Sequence, residues 1–220
     1  MDKFLIIDGN SIINRAFYAL PLLNNQFGEY SNAVYGFTNI LIKAILEYQP
    51  KYIAVAFDFG KKTFRNEIYE NYKGPRKGMP NELAEQMPIL KSLLIKMKIS
   101  FFEIEKIEAD DIIGTLSRAE NVEKIILSGD RDLFQLIDST TNIYFTKKGI
   151  TDVEKFDKEK LLQFMGLTPN QIVEYKALCG DASDNIPGVA GIGNKSALAL
   201  LEQFDNVDNI YANLNDISQA

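Results

Sequence analysis

Glu108-Ala109-Asp110-Asp111 places three carboxylates in four residues, directly ahead of Ile112, Ile113 and Leu116. That apolar spacing predicts a buried helix beginning here, with Asp110 and Asp111 in its first turn. A helix N-terminus favours a carboxylate by roughly 0.3–1 kcal/mol, which accounts for one acid. Three are harder to explain, because two like charges about 5 Å apart repel by roughly 3 kcal/mol at an effective dielectric near 20. The neighbouring sequence offers little Lys or Arg and the chain has no His, so a divalent cation is the economical counter-charge.

The composition narrows the chemistry further. Without histidine there is no Ser-His-Asp triad and no His-ligated zinc, and the single Cys179 cannot build a cysteine zinc site or an internal disulfide. Oxygen ligands remain, and these suit Mg²⁺, Mn²⁺ or Ca²⁺. One cysteine, no run of 18 apolar residues and no signal-like N-terminus lead us to expect a cytoplasmic protein with no membrane partner.

Further acids fall at the ends of apolar runs. Lys3–Asp8 reads as a buried strand ending in Asp8, with Ser11 capping the helix that follows. Tyr52–Phe57 is a second strand followed by Asp58, and Lys124–Ser128 another, followed by Gly129-Asp130-Arg131-Asp132. Ile99–Ile104 is a strand shortly before Glu108. Helical spacing marks 31–48 and about 82–97, and residues 142–145 and 150–153 flank a hairpin turn at Lys147-Lys148-Gly149. This alternation predicts an α/β domain over 1–155, with a mostly parallel central sheet flanked by helices. Residues 156–220 read as a helical element. Ligands of such sheets bind beyond the carboxyl ends of the strands, so these acids converge. A strand-end Asp taken alone is as readily a helix cap or turn former.

Asp181 and Asp184 complete a set of nine suspects: Asp8, Asp58, Glu108, Asp110, Asp111, Asp130, Asp132, Asp181 and Asp184. The net charge of −6 becomes +3 once the nine are set aside, so the excess acidity belongs to the proposed site. Two divalent ions there would let a phosphate approach, activate water and stabilise a leaving oxygen without a His base. Residues 59–81 carry Lys61, Lys62, Arg65, Lys73, Arg76 and Lys77 against Glu67 and Glu70, a local charge of +4, with Phe64, Tyr69 and Tyr72 interleaved. The plain alternative for this segment is a solvated basic loop with its tyrosines packed on the core.

The strings LIIDGNSIINRAFYAL, AFDFGKKTFRNEIYENYKGPR, IEADDIIGTL, LSGDRDLFQL and GDASDNIPGVAGIGNKSA, in this order, resemble the 5′ nuclease (flap endonuclease) family. The similarity is greatest to its branch of bacterial 5′→3′ exonuclease domains, which accompany DNA polymerases, and it covers nearly the whole chain. It implies a PIN-like 5′ nuclease fold and DNA with a 5′ flap or 5′ end as substrate, in replication and repair. All nine acids match metal-site carboxylates for two Mg²⁺ or Mn²⁺ ions. Asp8, Asp58, Glu108, Asp110 and Asp111 serve mainly one ion, and Asp130, Asp132, Asp181 and Asp184 the other. The 59–81 segment matches the family's arch, with Lys73 and Arg76 catalytic and Arg65 and Tyr72 contacting DNA, Tyr72 and Phe64 as stacking platforms.

Gly188–Ser196 nearly matches a P-loop, but Asn194 intrudes before Lys195 and no strand precedes it, so ATP binding is not expected. The resemblance makes it the turn of a helix–three-turn–helix element. There Gly188, Gly191, Gly193, Lys195 and Ser196 meet a duplex phosphate, and carbonyls over 188–193 hold K⁺. Residues 185–220 are net acidic, so backbone N–H groups are the better grip. A monomer is expected. Two departures stand out: the short linker over 115–123, which should clip the helix after Asp111, and an end at Ala220 ahead of the family's further helices. A PIN-type ribonuclease and a non-catalytic branched-DNA-binding module are the competing readings.

Overall fold

Leu5, Ile6 and Ile7 are each at most 1% exposed, so β1 (Asp2–Asp8) is buried on both faces, as a near-continuous apolar run requires. In the computed structural model, which describes residues 1–60, 62–147 and 152–217, this strand is central to a six-stranded sheet. The other strands are β2 (Tyr52–Ala56), β3 (Ser100–Phe102), β4 (Val122–Ser128), β5 (Thr141–Thr146) and β6 (Val153–Phe156). Their order is β3-β2-β1-β4-β5-β6, parallel through β5, with β6 antiparallel at the edge. The order reverses between β1 and β4, where a crevice opens at the carboxyl ends of the strands.

The helices are α1 (Gly9–Ala19), α2 (Asn32–Tyr48), α3 (Phe64–Ile68), α4 (Asn81–Ala84), α5 (Gln86–Lys96), α6 (Ala109–Leu116), α7 (Lys158–Met165), α8 (Gln171–Cys179), α9 (Asn194–Phe204) and α10 (Val207–Ala212). Two apolar clusters sandwich the sheet. Leu5 and Ile7 join α1, α2 and α5 on one face, while Ile6 joins α6 to α10 on the other. Among the described residues no helix is long and apolar enough to cross a membrane.

Four local expectations are corrected. Asp8, not Ser11, caps α1: its carboxylate accepts from Ser11 N at 2.9 Å, which frees the Ser11 hydroxyl to accept from Gly129 N at 2.8 Å. The helix expected over 82–97 breaks at Glu85. Pro88 has no N–H for the Ala84 carbonyl and its ring crowds that group, so α4 ends where it must. Buried Gln86 turns back from this break and accepts from Ala33 N and Val34 N (2.8 and 3.2 Å), capping α2 where Ser31 makes no side-chain cap. β3 is shorter than expected, β5 runs one residue further at each end, and β6 is displaced by three residues. The turn residues Lys148 and Gly149 lie outside the described residues, as do Lys61 and Ala220. The helix carrying Asp111 ends at Leu116, with Ser117 as its cap.

Candidate active site

Each acid is placed by the backbone beside it. Asp8 ends β1, and its second oxygen accepts from Ser128 Oγ at 2.6 Å, locking β1 to β4 at the crevice. Ser128 Oγ in turn accepts from Asp130 N at 2.9 Å, and Asp130 Oδ1 accepts from Asp132 N at 2.8 Å. Asp58, beyond β2, accepts from Ala109 N at 2.7 Å and from Asn10 Nδ2 at 3.1 Å, fastening the start of α6 to the sheet. Gly9, beside Asp8, must lack a Cβ, which would lie 2.3 Å from a Phe57 ring carbon.

Six of the nine acids line one cleft of about 370 Å³: Asp8, Asp58, Asp110, Asp130, Asp132 and Asp184. Lys73 and Arg76 lie in its wall. Burial pushes Asp110 up to about 8, with the charges of Asp8, Asp130 and Asp58 adding to it. Asp8 is pushed up to about 6, again chiefly by burial.

The other three acids, expected in the same nine-carboxylate site, do not line this cleft and are held by basic partners. Asp111 takes both Arg65 nitrogens, at 2.7 and 2.8 Å, and accepts from Glu108 N, closing a capping box at the start of α6. The Arg65 bond pulls its carboxyl below the usual range. Glu108 borders the cleft, 4% exposed, and meets Lys73 Nζ at 2.9 Å and Thr63 Oγ1 at 3.2 Å. Asp181 meets Lys176 Nζ at 2.6 Å, and the same ammonium lies 2.8 Å from Asp132. Burial raises Asp181, but the Lys176 and Ser183 bonds outweigh it and carry it down to about 2. The cations missing near Glu108 in sequence are therefore supplied by the fold, from 35 and more residues upstream. Lys176 escaped the sequence reading, because one Lys in the run Ile172–Cys179 looks like an exposed helix position.

The basic segment is also corrected. Tyr72 is 7% exposed, its hydroxyl within 3.2 Å of Glu108 and 3.1 Å of Asp184, so it has no open face for a base. The Phe64 ring lies under the Arg65 guanidinium, 4.6 Å from its centroid. Arg76 is paired with Asp184.

In the Gly-rich stretch, Gly188 packs backbone to backbone: its Cβ would lie 2.4 Å from the Cys179 carbonyl carbon and 2.6 Å from Gly180 N. This contact closes the small ladder of β7 (Gly180–Asp181) and β8 (Ile186–Pro187) that shapes the Asp181–Asp184 turn. Gly191 and Gly193 instead face open space. Gly193 leads into α9 with no side-chain cap, and Lys195 and Ser196 lie in its first turn.

Residues 3–166 match the family described as 5′-3′ exonuclease, N-terminal resolvase-like domain, and residues 167–220 match 5′-3′ exonuclease, C-terminal SAM fold. The chain belongs to the 5′-3′ exonuclease family. It is 51% identical over 218 residues to DNA polymerase I of Bacillus caldotenax, covering 98% of this chain and 25% of that protein. DNA polymerase I of Bacillus subtilis (strain 168) is 48% identical over 219 residues, with the same coverage. The chain thus spans about a quarter of the length of the curated relatives it matches.

Among solved structures, bacteriophage T5 5′-exonuclease with bound zinc aligns with a TM-score of 0.79 at 23% identity, covering 99% of this chain and 81% of that one. The catalytic core of Rad2 in complex with DNA substrate aligns at 0.63 and 21%, covering 98% and 64%. At these identities the likeness is one of fold. Both support the mostly parallel sheet flanked by helices expected from sequence.

Among the described residues no three acids gather closely enough to form a ready-made metal centre. The donor set nevertheless suits a hard divalent cation. Every donor is a carboxylate oxygen, and the field of Asp8, Asp58 and Asp130 that raises Asp110 is one that a cation relieves.

Proposed function

We propose that this chain is a divalent-metal-dependent nuclease hydrolysing DNA phosphodiesters at 5′ ends and 5′ flaps, leaving a 5′-phosphate and a 3′-hydroxyl. One observation carries the reading: six aspartates line a single cleft at the carboxyl ends of a parallel sheet, with Lys73 and Arg76 in its wall. A polyanion cannot enter six carboxylates unaided, so the residues fit bound Mg²⁺ or Mn²⁺, held by Asp8, Asp58, Asp110, Asp130, Asp132 and Asp184. Such ions, when bound, supply an activated water and charge stabilisation at the phosphate.

The chain's own groups then orient and neutralise. Lys73 Nζ is aimed at the cleft edge beside Glu108, where an ammonium can steady charge on a phosphoryl oxygen. Arg76 and Arg65 can exchange their carboxylate partners for backbone phosphates along the 5′ strand. Ser128 and Asn10 hold Asp8 and Asp58 in fixed orientations. The uncapped N-terminus of α9 presents free N–H groups suited to a duplex phosphate. The length of the DNA polymerase I relatives supports a polymerase region as covalent or working partner.

The test is a Mg²⁺ titration of cleavage on a 5′-labelled double-flap DNA, run beside single-stranded RNA and beside Asp132→Asn. Mg²⁺-dependent release of the flap, absent in the variant, is expected. Preferential RNA cleavage would replace the reading with a ribonuclease, and tight flap binding without cleavage at any Mg²⁺ level would make the chain a branch-binding module.

A further inference from the structure

Residues 71–76 and the turn 181–185 are more than a hundred positions apart, yet they are fastened together. Lys73 N donates to Asp184 O at 2.9 Å, and Asn185 Nδ2 donates back to Asn71 O, also at 2.9 Å. The pair forms one rung of an antiparallel ladder in which a side-chain amide takes the place of a backbone N–H. Arg76 adds a bond from Nε to Ser183 O at 3.2 Å and its ion pair with Asp184.

The backbone at the rung is unusual on both sides. Lys73 has φ 55° and Asn185 φ 59°, in the left-handed region. Asn tolerates that region because its short amide bonds locally, whereas Lys occupies it only where surrounding contacts hold it there. Lys73 is the residue whose ammonium reaches Glu108 at the cleft edge, so a relaxed φ at this position would swing the whole side chain.

We propose that Asn185 is a positioning residue for Lys73. Its amide grips Asn71 O, keeps Lys73 N on Asp184 O, and thereby holds the left-handed turn that aims the ammonium into the acidic cleft. The rung also couples the two family regions, since Lys73 lies in residues 3–166 and Asn185 in 167–220. The link from Asn185 to catalysis rests on the nuclease reading above; the rung itself does not.

Asn185→Gly keeps access to positive φ and deletes only the amide, and Asn185→Asp keeps the shape but replaces the donor with acceptors. In hydrogen exchange without DNA, both should speed exchange of amides 69–76 by about tenfold or more while β1 and β4 stay unchanged. On flap DNA, kcat should fall by about tenfold with KM within about threefold, because misaiming a group costs rate more than binding. Adding Lys73→Ala should lower the rate no further than Lys73→Ala alone, within about twofold, as coupled residues require. Unchanged exchange over 69–76 overturns the rung, whatever the protein cleaves. Additive rate losses in the double variant overturn the action through Lys73.

Discussion

Lys73 Nζ lies 2.9 Å from Glu108 Oε2, and both groups are largely withdrawn from water. The two residues arrive from unrelated segments, one from the turn after α3 and the other from the N-cap of α6. Their meeting resolves the crowding of Glu108, Asp110 and Asp111. Lys73 neutralises the first, Arg65 the third, and Asp110 alone is left facing Asp8, Asp58 and Asp130. The cluster is thus divided among a cap, two ion pairs and one cleft-lining acid.

Lys73→Ala should lower the flap cleavage rate by about 100-fold while changing DNA affinity by less than about threefold, because removing one preorganised charge donor costs transition-state stabilisation. The variant also leaves buried Glu108 with Arg65 at 3.6 Å as its remaining cation, at about 1–3 kcal/mol of stability. Single-turnover rates and a melting curve separate the two effects. A rate equal to the parent's would remove Lys73 from the reaction.

Lys176→Met tests the bridge between Asp132 and Asp181. Burial opposes the Lys176 charge, but its two carboxylate bonds prevail and hold its pKa above the ordinary lysine value. Without it two acids face one another, so the protein in EDTA should lose roughly 1–2 kcal/mol, the scale of a partly exposed charged hydrogen bond. For a chain of this length that corresponds to a fall in Tm of about 2–8 °C. Millimolar Mg²⁺ or Mn²⁺ should restore more of the loss than it adds to the parent protein. Equal Mg²⁺ shifts in parent and variant would show that Lys176 does not bear on the acid pair.

What was legible in the sequence follows from how local each cause is. Strand-end acids at Asp8, Asp58 and Asp130 were readable because an apolar run and the turn after it fix their place within a few residues. The parallel sheet followed from the alternation of short apolar runs with period-3.6 segments. Pairings decided by tertiary approach were not readable. Arg65 reaches Asp111 across 46 positions, and Gln86 caps a helix 53 positions away. Tyr72 illustrates the cost: an aromatic among cations reads as a stacking platform, yet its hydroxyl between Glu108 and Asp184 makes it a buried strut. Gly188 is similar, since its lack of a side chain serves the Cys179–Gly180 backbone.

The last prediction concerns pH. Asp110 stands at about 8 and Asp8 at about 6 in the folded protein, both above the ordinary 3.8. The folded state therefore binds more protons than the unfolded chain between about pH 4 and pH 8, and stability must fall as pH rises through that window, by up to ~1.4 kcal/mol per pH unit for each such group. Asp111 and Asp181 are shifted down instead, so they remain ionised in both states above pH 5 and leave this slope unchanged. In EDTA the protein should melt at a higher temperature at pH 5.5 than at pH 8, and Asp110→Asn should flatten the dependence. Mg²⁺ should stabilise more at pH 8, because a cation prefers the ionised carboxylates and displaces the proton that burial retains. Calorimetric melting across pH 5–8, with and without Mg²⁺, measures both slopes. A parent protein whose Tm in EDTA rises over that interval would show that Asp110 is ionised throughout and that its charge is balanced by groups other than a bound proton.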